Sequence, residues 1–231
     1  MLATLTSWLL GVLFGMRHAL EPDHLTAVST LAAEERHPAR GALLGAFWGL
    51  GHSLSLLVVG VVLALLHAEM PAKLAELFEL GVAIMLVGLG VRALKRAVRD
   101  GRDGHVHAHA HAHLPAAHTH AAPVAHVHVG GLTFATRSLL IGIVHGLAGS
   151  GALTALVLAN LPSTSARLAY ITLFGIGSVV GMALLSGLAG WPLQRFGRSP
   201  RAARMLAFTT GLLSTGLGIF WGAPIVWSCL Q

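Results

Sequence analysis

The stretch Arg17-His18-Ala19-Leu20-Glu21-Pro22-Asp23-His24 sets two imidazoles, two carboxylates, a guanidinium and a helix-breaking proline within eight residues of an otherwise apolar chain. Imidazole nitrogen combined with carboxylate or carbonyl oxygen suits a borderline divalent cation such as nickel, cobalt or zinc, and suits sodium or magnesium poorly. His18, Asp23 and His24 are the candidate ligands. Arg17 and Glu21 are open between ligand and structural partner, because i, i+4 spacing lets them pair with each other on a helix face. His52, in Gly51-His52-Ser53, is a lone imidazole in a second apolar run. It is either a hydrogen-bonded packing residue or a ligand lent by a second helix, with Ser53 beside it in a structural or pathway role. His145, in Gly142-Ile143-Val144-His145-Gly146-Leu147, is a fifth candidate, as ligand or as pathway residue.

The surroundings give these groups their weight. Hydrophobic residues form 55% and charged residues 10% of the 231-residue chain, against roughly 25% charged in a soluble domain. The composition is that of an integral membrane protein, with room for about six spans of roughly 20 residues. An ionisable group at membrane depth costs at least about 2.5 kcal/mol, so a cluster of five is a functional site by default. The net charge of +6 is explained by membrane orientation rather than by a nucleic-acid partner. A single cysteine, Cys229, leaves no internal disulfide or Cys-x-x-Cys pair. No phosphate-binding Gly-Lys-Ser/Thr loop is present, which argues against an ATP-driven pump. Without a basic leader or small-residue cleavage site, Leu2 onward reads as a retained span.

Six apolar runs must position the motifs: from Leu2 to Ala33, Gly41 to Leu66, Leu74 to Leu94, Leu132 to Leu161, Arg167 to Leu188 and Met205 to Trp227. The first, as one helix, would be about 48 Å long against a hydrocarbon core of about 30 Å. Pro22 supplies a break, because it cannot donate to the carbonyl of His18 and its ring crowds that carbonyl. In an unbroken helix Asp23 lies about 140° and His24 about 240° round from His18, so the three diverge. Opened at Pro22 they can converge, and the His18 carbonyl is freed as a further ligand.

Between the third and fourth runs, residues 100–131 carry nine histidines, His105, His107, His109, His111, His113, His118, His120, His126 and His128, spaced mostly by Ala, Val and Pro. No core can be built from this, so it is expected to be a mobile loop that captures metal rather than a fixed site. It divides the chain into 1–99, a first three-helix unit, and 132–231, a second. Twelve Lys and Arg fall on the loop's side of a six-span topology and two on the other. The loop is thus expected in the cytosol and both termini outside, and the loop could also receive a cytosolic metallochaperone.

The two halves are alike. Gly15 to Leu20 aligns with Gly142 to Leu147, Phe47 to Gly51 with Leu173 to Gly177, and Gly88-Leu89-Gly90 with Gly216-Leu217-Gly218, at a spacing near 127 residues. His145 therefore takes the place of His18, while Ser150 and Gly151 stand where Asp23 and His24 would. An odd number of spans per copy inverts the second, so the expected fold is an all-α polytopic membrane protein of six transmembrane helices in a 3+3 inverted repeat. Small residues four apart, Gly11 with Gly15 and Gly142 with Gly146 among them, mark close helix crossings beside the motifs.

Arg17-His18-Ala19-x-x-x-Asp23-His24 on one span and Leu50-Gly51-His52-Ser53 on the next resemble the signature pair of the nickel/cobalt transporter superfamily. The segment His145-Gly146-Leu147-Ala148-Gly149-Ser150-Gly151 is similar to that of urease-accessory-type nickel permeases. The resemblance implies a permease, not an enzyme, with no cofactor, whose selectivity centre is carried by His18, Asp23 and His24 with His52 contributing. Six spans instead of eight, and Glu21-Pro22 inside the motif, depart from the best-known importers, and the histidine loop resembles the efflux branch.

The resulting expectation is a secondary transporter of nickel or cobalt in a bacterial cytoplasmic membrane, with import favoured by the first motif and efflux the alternative. Neutral imidazole is the ligating form, so binding should weaken as pH falls through about 6.5. The rival of another class is a membrane-bound acyltransferase, since His18-x4-Asp23 also matches a carboxylate-oriented histidine base. A thiol or sulfur-compound transporter of Gly-rich helices is a third, its thiol version removed by the single cysteine.

Overall fold

The computed structural model of the chain describes residues 2–32, 37–66, 68, 70–102, 135–148, 163–196 and 200–230. These form seven α-helices: α1 Leu2–His18, α2 Pro22–Ala32, α3 Pro38–Leu66, α4 Ala72–Arg102, α5 Ala135–Ala148, α6 Thr164–Phe196 and α7 Pro200–Cys229. There is no strand among the described residues.

Helix starts follow from local chemistry. Proline opens α2, α3 and α7, where its missing N–H leaves no further donor unpaired. Ser163 caps α6, its hydroxyl accepting from the Ala166 amide at 3.3 Å and its carbonyl from Arg167 at 3.1 Å. α3, α4, α6 and α7 each contain a stretch long and apolar enough to cross a membrane. Their outward faces carry large apolar side chains such as Leu43, Leu54, Ile84, Leu184, Leu213 and Phe220. Lipid tails satisfy such a surface, whereas water would not.

The first apolar run is broken as its proline predicts, but the break closes on itself. α1 stops at His18 and α2 starts at Pro22, with Glu21 as the capping residue whose carbonyl accepts from Leu25 at 2.9 Å. The carbonyl of His18, expected to be free for a ligand, accepts instead from the Glu21 amide at 3.0 Å in a tight turn, and that of Arg17 from Leu20 at 2.9 Å. A turn of this kind absorbs backbone groups that a buried break would otherwise strand. The third run is longer than its apolar stretch, since α4 carries its basic residues through Arg102 as helix and so enters the stretch assigned to the loop. Of the fourth run the described part is α5; the histidines from 105 to 128 lie outside the described residues.

Small residues bring the helices together, and they do so twice. A Cβ on Gly15 would fall on the carbonyl of Phe174, and one on Gly142 on that of Trp48. Gly177 meets the carbonyl of Val12 as Gly51 meets that of Leu139, and Gly175 meets Ser53 as Gly49 meets Val179. Gly90 lies on Gly211 of α7, and Gly218 on Ala83 of α4. Every member of these pairs differs from its counterpart by 126 to 128 residues. α1 thus packs on α6 as α5 packs on α3, while α3 with α6 and α4 with α7 pair across the middle. Hydroxyls fasten the same crossings: Ser138 donates to the Leu44 carbonyl at 2.6 Å, Ser55 to Ile143 at 2.9 Å and Ser214 to Leu86 at 2.8 Å.

Candidate metal centre

The α1–α2 turn delivers three candidate ligands to one place. His18 is the last residue of α1, and Asp23 and His24 lie in the first turn of α2. α3 adds His52 and α5 adds His145, and the crossings at Gly51 and Gly146 let these two helices approach closely enough to share a centre. All five predicted ligands come together, four helices contributing.

The contacts form two linked sets. Nε2 of His18 lies 3.1 Å from Nε2 of His52, and the carboxylate of Glu21 accepts from Nδ1 of His18 at 2.9 Å. Asp23 divides its oxygens: Oδ1 accepts from Nδ1 of His24 at 3.0 Å and Oδ2 from Nε2 of His145 at 2.7 Å. The ring centroid of His24 is 4.4 Å from that of His18 and 4.1 Å from that of His145. Ligating atoms of His18, His24 and His52 lie within 4.8 Å of one another, as do those of Asp23, His24 and His145. Metal–nitrogen bonds of about 2.0–2.1 Å bring ligand atoms closer together than that limit, so a bound ion would draw each set inward.

Hydrogen bonding also fixes which nitrogens are left. A carboxylate can only accept, so Nδ1–H of His18 donates to Glu21, and the Nε2 atoms of His18 and His52 face each other. The remaining nitrogen of His52 is Nδ1, and by the same reasoning those of His24 and His145 are Nε2 and Nδ1. All three are buried and have no partner. Buried polar atoms are seldom left so. On the rings of His24 and His145 the other nitrogen is held by the Asp23 carboxylate, a pairing found in carboxylate–histidine metal sites, while on His52 it meets His18.

Residues 4–193 match the NicO family, described as high-affinity nickel-transport protein. The chain belongs to this family. It is 34% identical over 219 residues to the urease accessory protein UreH of Bacillus sp. (strain TB-90), covering 92% of this chain and 88% of that protein. It is 28% identical to chloroplast proteins FOR GROWTH AND FERTILITY 1 and 2 of Arabidopsis thaliana, over 93% of this chain, which spans 58% and 55% of their lengths. No solved structure matches the chain significantly.

Within this NicO-family chain the other predicted residues fall into place differently. Glu21 pairs with His18 and not with Arg17, which is exposed. Pro22 is the first residue of α2 and exposed. Ser53 faces away from the cluster and donates to the Gly175 carbonyl at 2.9 Å, holding α3 to α6. His18 and Asp23 do not form the dyad an acyltransferase would need, because each carboxylate oxygen of Asp23 serves another ring.

Two aromatic walls escape sequence reasoning. Trp48, fully buried, stacks on His24 at 5.5 Å and 26° and meets His145 edge-on at 5.5 Å. Phe174 lies 5.3 Å from His18. The signal available for Trp48 is its place four residues before His52, on the same helix face.

Proposed function

We propose that the chain is a secondary permease that carries Ni2+ or Co2+ across a bacterial cytoplasmic membrane. The observation that carries this reading is the convergence of His18, Asp23, His24, His52 and His145 with three buried imidazole nitrogens lacking partners. A resident structural metal would satisfy the same ligands, but a transported ion fits the family and the access through His18, whose side chain is 14% exposed beside Glu21 at 53%. Ni2+ or Co2+ is the substrate, and no cofactor is required.

The twofold recurrence of glycine crossings supports a six-span 3+3 inverted repeat, in which rocking of the two units exposes the centre to each side in turn. The distribution of Lys and Arg favours termini outside and the histidine loop, His105 to His128, in the cytosol. There the loop captures metal and offers a docking segment to a cytosolic metallochaperone. Import is the direction favoured by the first motif. A nine-histidine loop on the basic side supports efflux as the second reading.

Two measurements test this. Radioactive nickel flux in proteoliposomes should be lost in His18→Ala and in Asp23→Ala; unchanged flux in both would refute the permease centre. Whole-cell metal content with and without the protein gives direction by its sign and selectivity by its element.

A further inference from the structure

The two sets of ligands are built on the two halves of the chain in corresponding ways. His18 and His145 hold matching places, and each leans on the aromatic residue at the matching place of the opposite half. His18 meets Phe174 at 5.3 Å and His145 meets Trp48 at 5.5 Å. Asp23 and His24 break the correspondence, since Ser150 and Gly151 stand at their counterparts. A single His24 ring thus stands between the flanking histidines of the two halves, at nearly equal distances from them.

The two sets are closed to much the same degree, with His18 at 14% and Asp23 at 12% the outermost member of each and His24, His52 and His145 fully buried. Both need His24, and two dipositive ions so close would repel strongly in a medium of low dielectric. The sets can be filled in turn but not together.

Resting on the metal reading above, we propose that the cation is handed from a first position at His18, His24 and His52 to a second at Asp23, His24 and His145. His24 is retained through the exchange. Bonds to His18 and His52 break as bonds to Asp23 and His145 form, so three protein ligands hold the ion in either position. The second adds a carboxylate charge, offsetting part of the cost of holding a dipositive ion away from water. In an inverted repeat the mate positions face opposite sides, so His18 serves one face of the membrane and His145 the other.

Trp48, which touches both His24 and His145, supplies a reporter at the centre itself. In the full chain with Trp8, Trp191, Trp221 and Trp227 replaced by Phe, Ni2+ should quench Trp48 fluorescence saturably, and net Ni2+ flux should be measured in the same preparation. His145→Ala and His145→Gln should each keep saturable quenching while flux falls at least tenfold. His18→Ala with His52→Ala should likewise keep quenching and lose flux, and His18→Ala with His145→Ala should lose both. Flux at the parental rate in both His145 variants, or loss of quenching in both with helicity unchanged, overturns the handover. Absence of quenching and flux in the parent would instead sink the metal reading itself.

Discussion

Asp23 and His145, 122 residues apart in the chain, meet at 2.7 Å in the buried centre of the molecule, and the same carboxylate holds His24 at 3.0 Å. One side chain thereby orients two imidazoles from opposite halves. Asp23→Asn keeps the shape but can accept through one atom only, so one ring loses its partner. Loss of a carboxylate that orients ligating histidines costs about 10–100-fold in metal affinity or activity, and Asp23 is weakened as a ligand of the ion as well. Nickel uptake into proteoliposomes should fall by about that factor with the protein still monodisperse in detergent; uptake within twofold of the parent would contradict the assignment.

Glu21 performs the same service for His18 at the surface. Its carboxylate is half-exposed, where a charge-assisted contact contributes about 0.2–1 kcal/mol. Glu21→Gln should therefore raise the KM for nickel by no more than about fivefold, with maximal flux unchanged. His18→Ala should abolish flux. A concentration series on both variants separates the outcomes, and equal damage from the two would make Glu21 a ligand in its own right.

Much of this centre was legible in the sequence because the physical cost of burying charge is large and Pro22 is unambiguous as a breaker. Those two facts place His18, Asp23 and His24 at one opened helix. The recurrence of the close crossings was legible through glycines at a constant offset, since a glycine facing a backbone leaves no alternative residue. The fate of the His18 carbonyl was not, because which amide closes a turn depends on how the next helix leaves it. Trp48 was hidden because an aromatic in an apolar span has the same signature whether it faces lipid, core or a ligand. The division of Asp23 between two rings was equally out of reach, since nothing in one sequence says which oxygen faces which helix.

Hydroxyl bridges between helices should matter less than the site. Ser214, fully buried on α7, donates to the Leu86 carbonyl at 2.8 Å. Interhelical hydrogen bonds in membrane proteins average about 0.6 kcal/mol. Ser214→Ala should lower stability by about that amount in a reversible unfolding assay and leave nickel flux intact. A loss of several kcal/mol would mean that the bridge is coupled to the centre.

The glycine crossings give the sharpest contrast. Gly15 and Gly142 lie against the carbonyls of Phe174 and Trp48, backbone atoms that no side-chain rotation can move away. A methyl group there must push α1 from α6, or α5 from α3, and with them His18 or His145. Gly15→Ala and Gly142→Ala should each reduce both thermal stability in detergent and nickel flux, and should do so to a similar degree because the two contacts correspond. Gly88 and Gly216 hold matching places in the two halves and have nothing within 4 Å of an added Cβ. Alanine at either gains up to about 1 kcal/mol in helix propensity. Gly88→Ala and Gly216→Ala should leave flux unchanged and raise the melting temperature, and the reverse order of the two pairs would show that the crossings are not what sets the separation of the histidines.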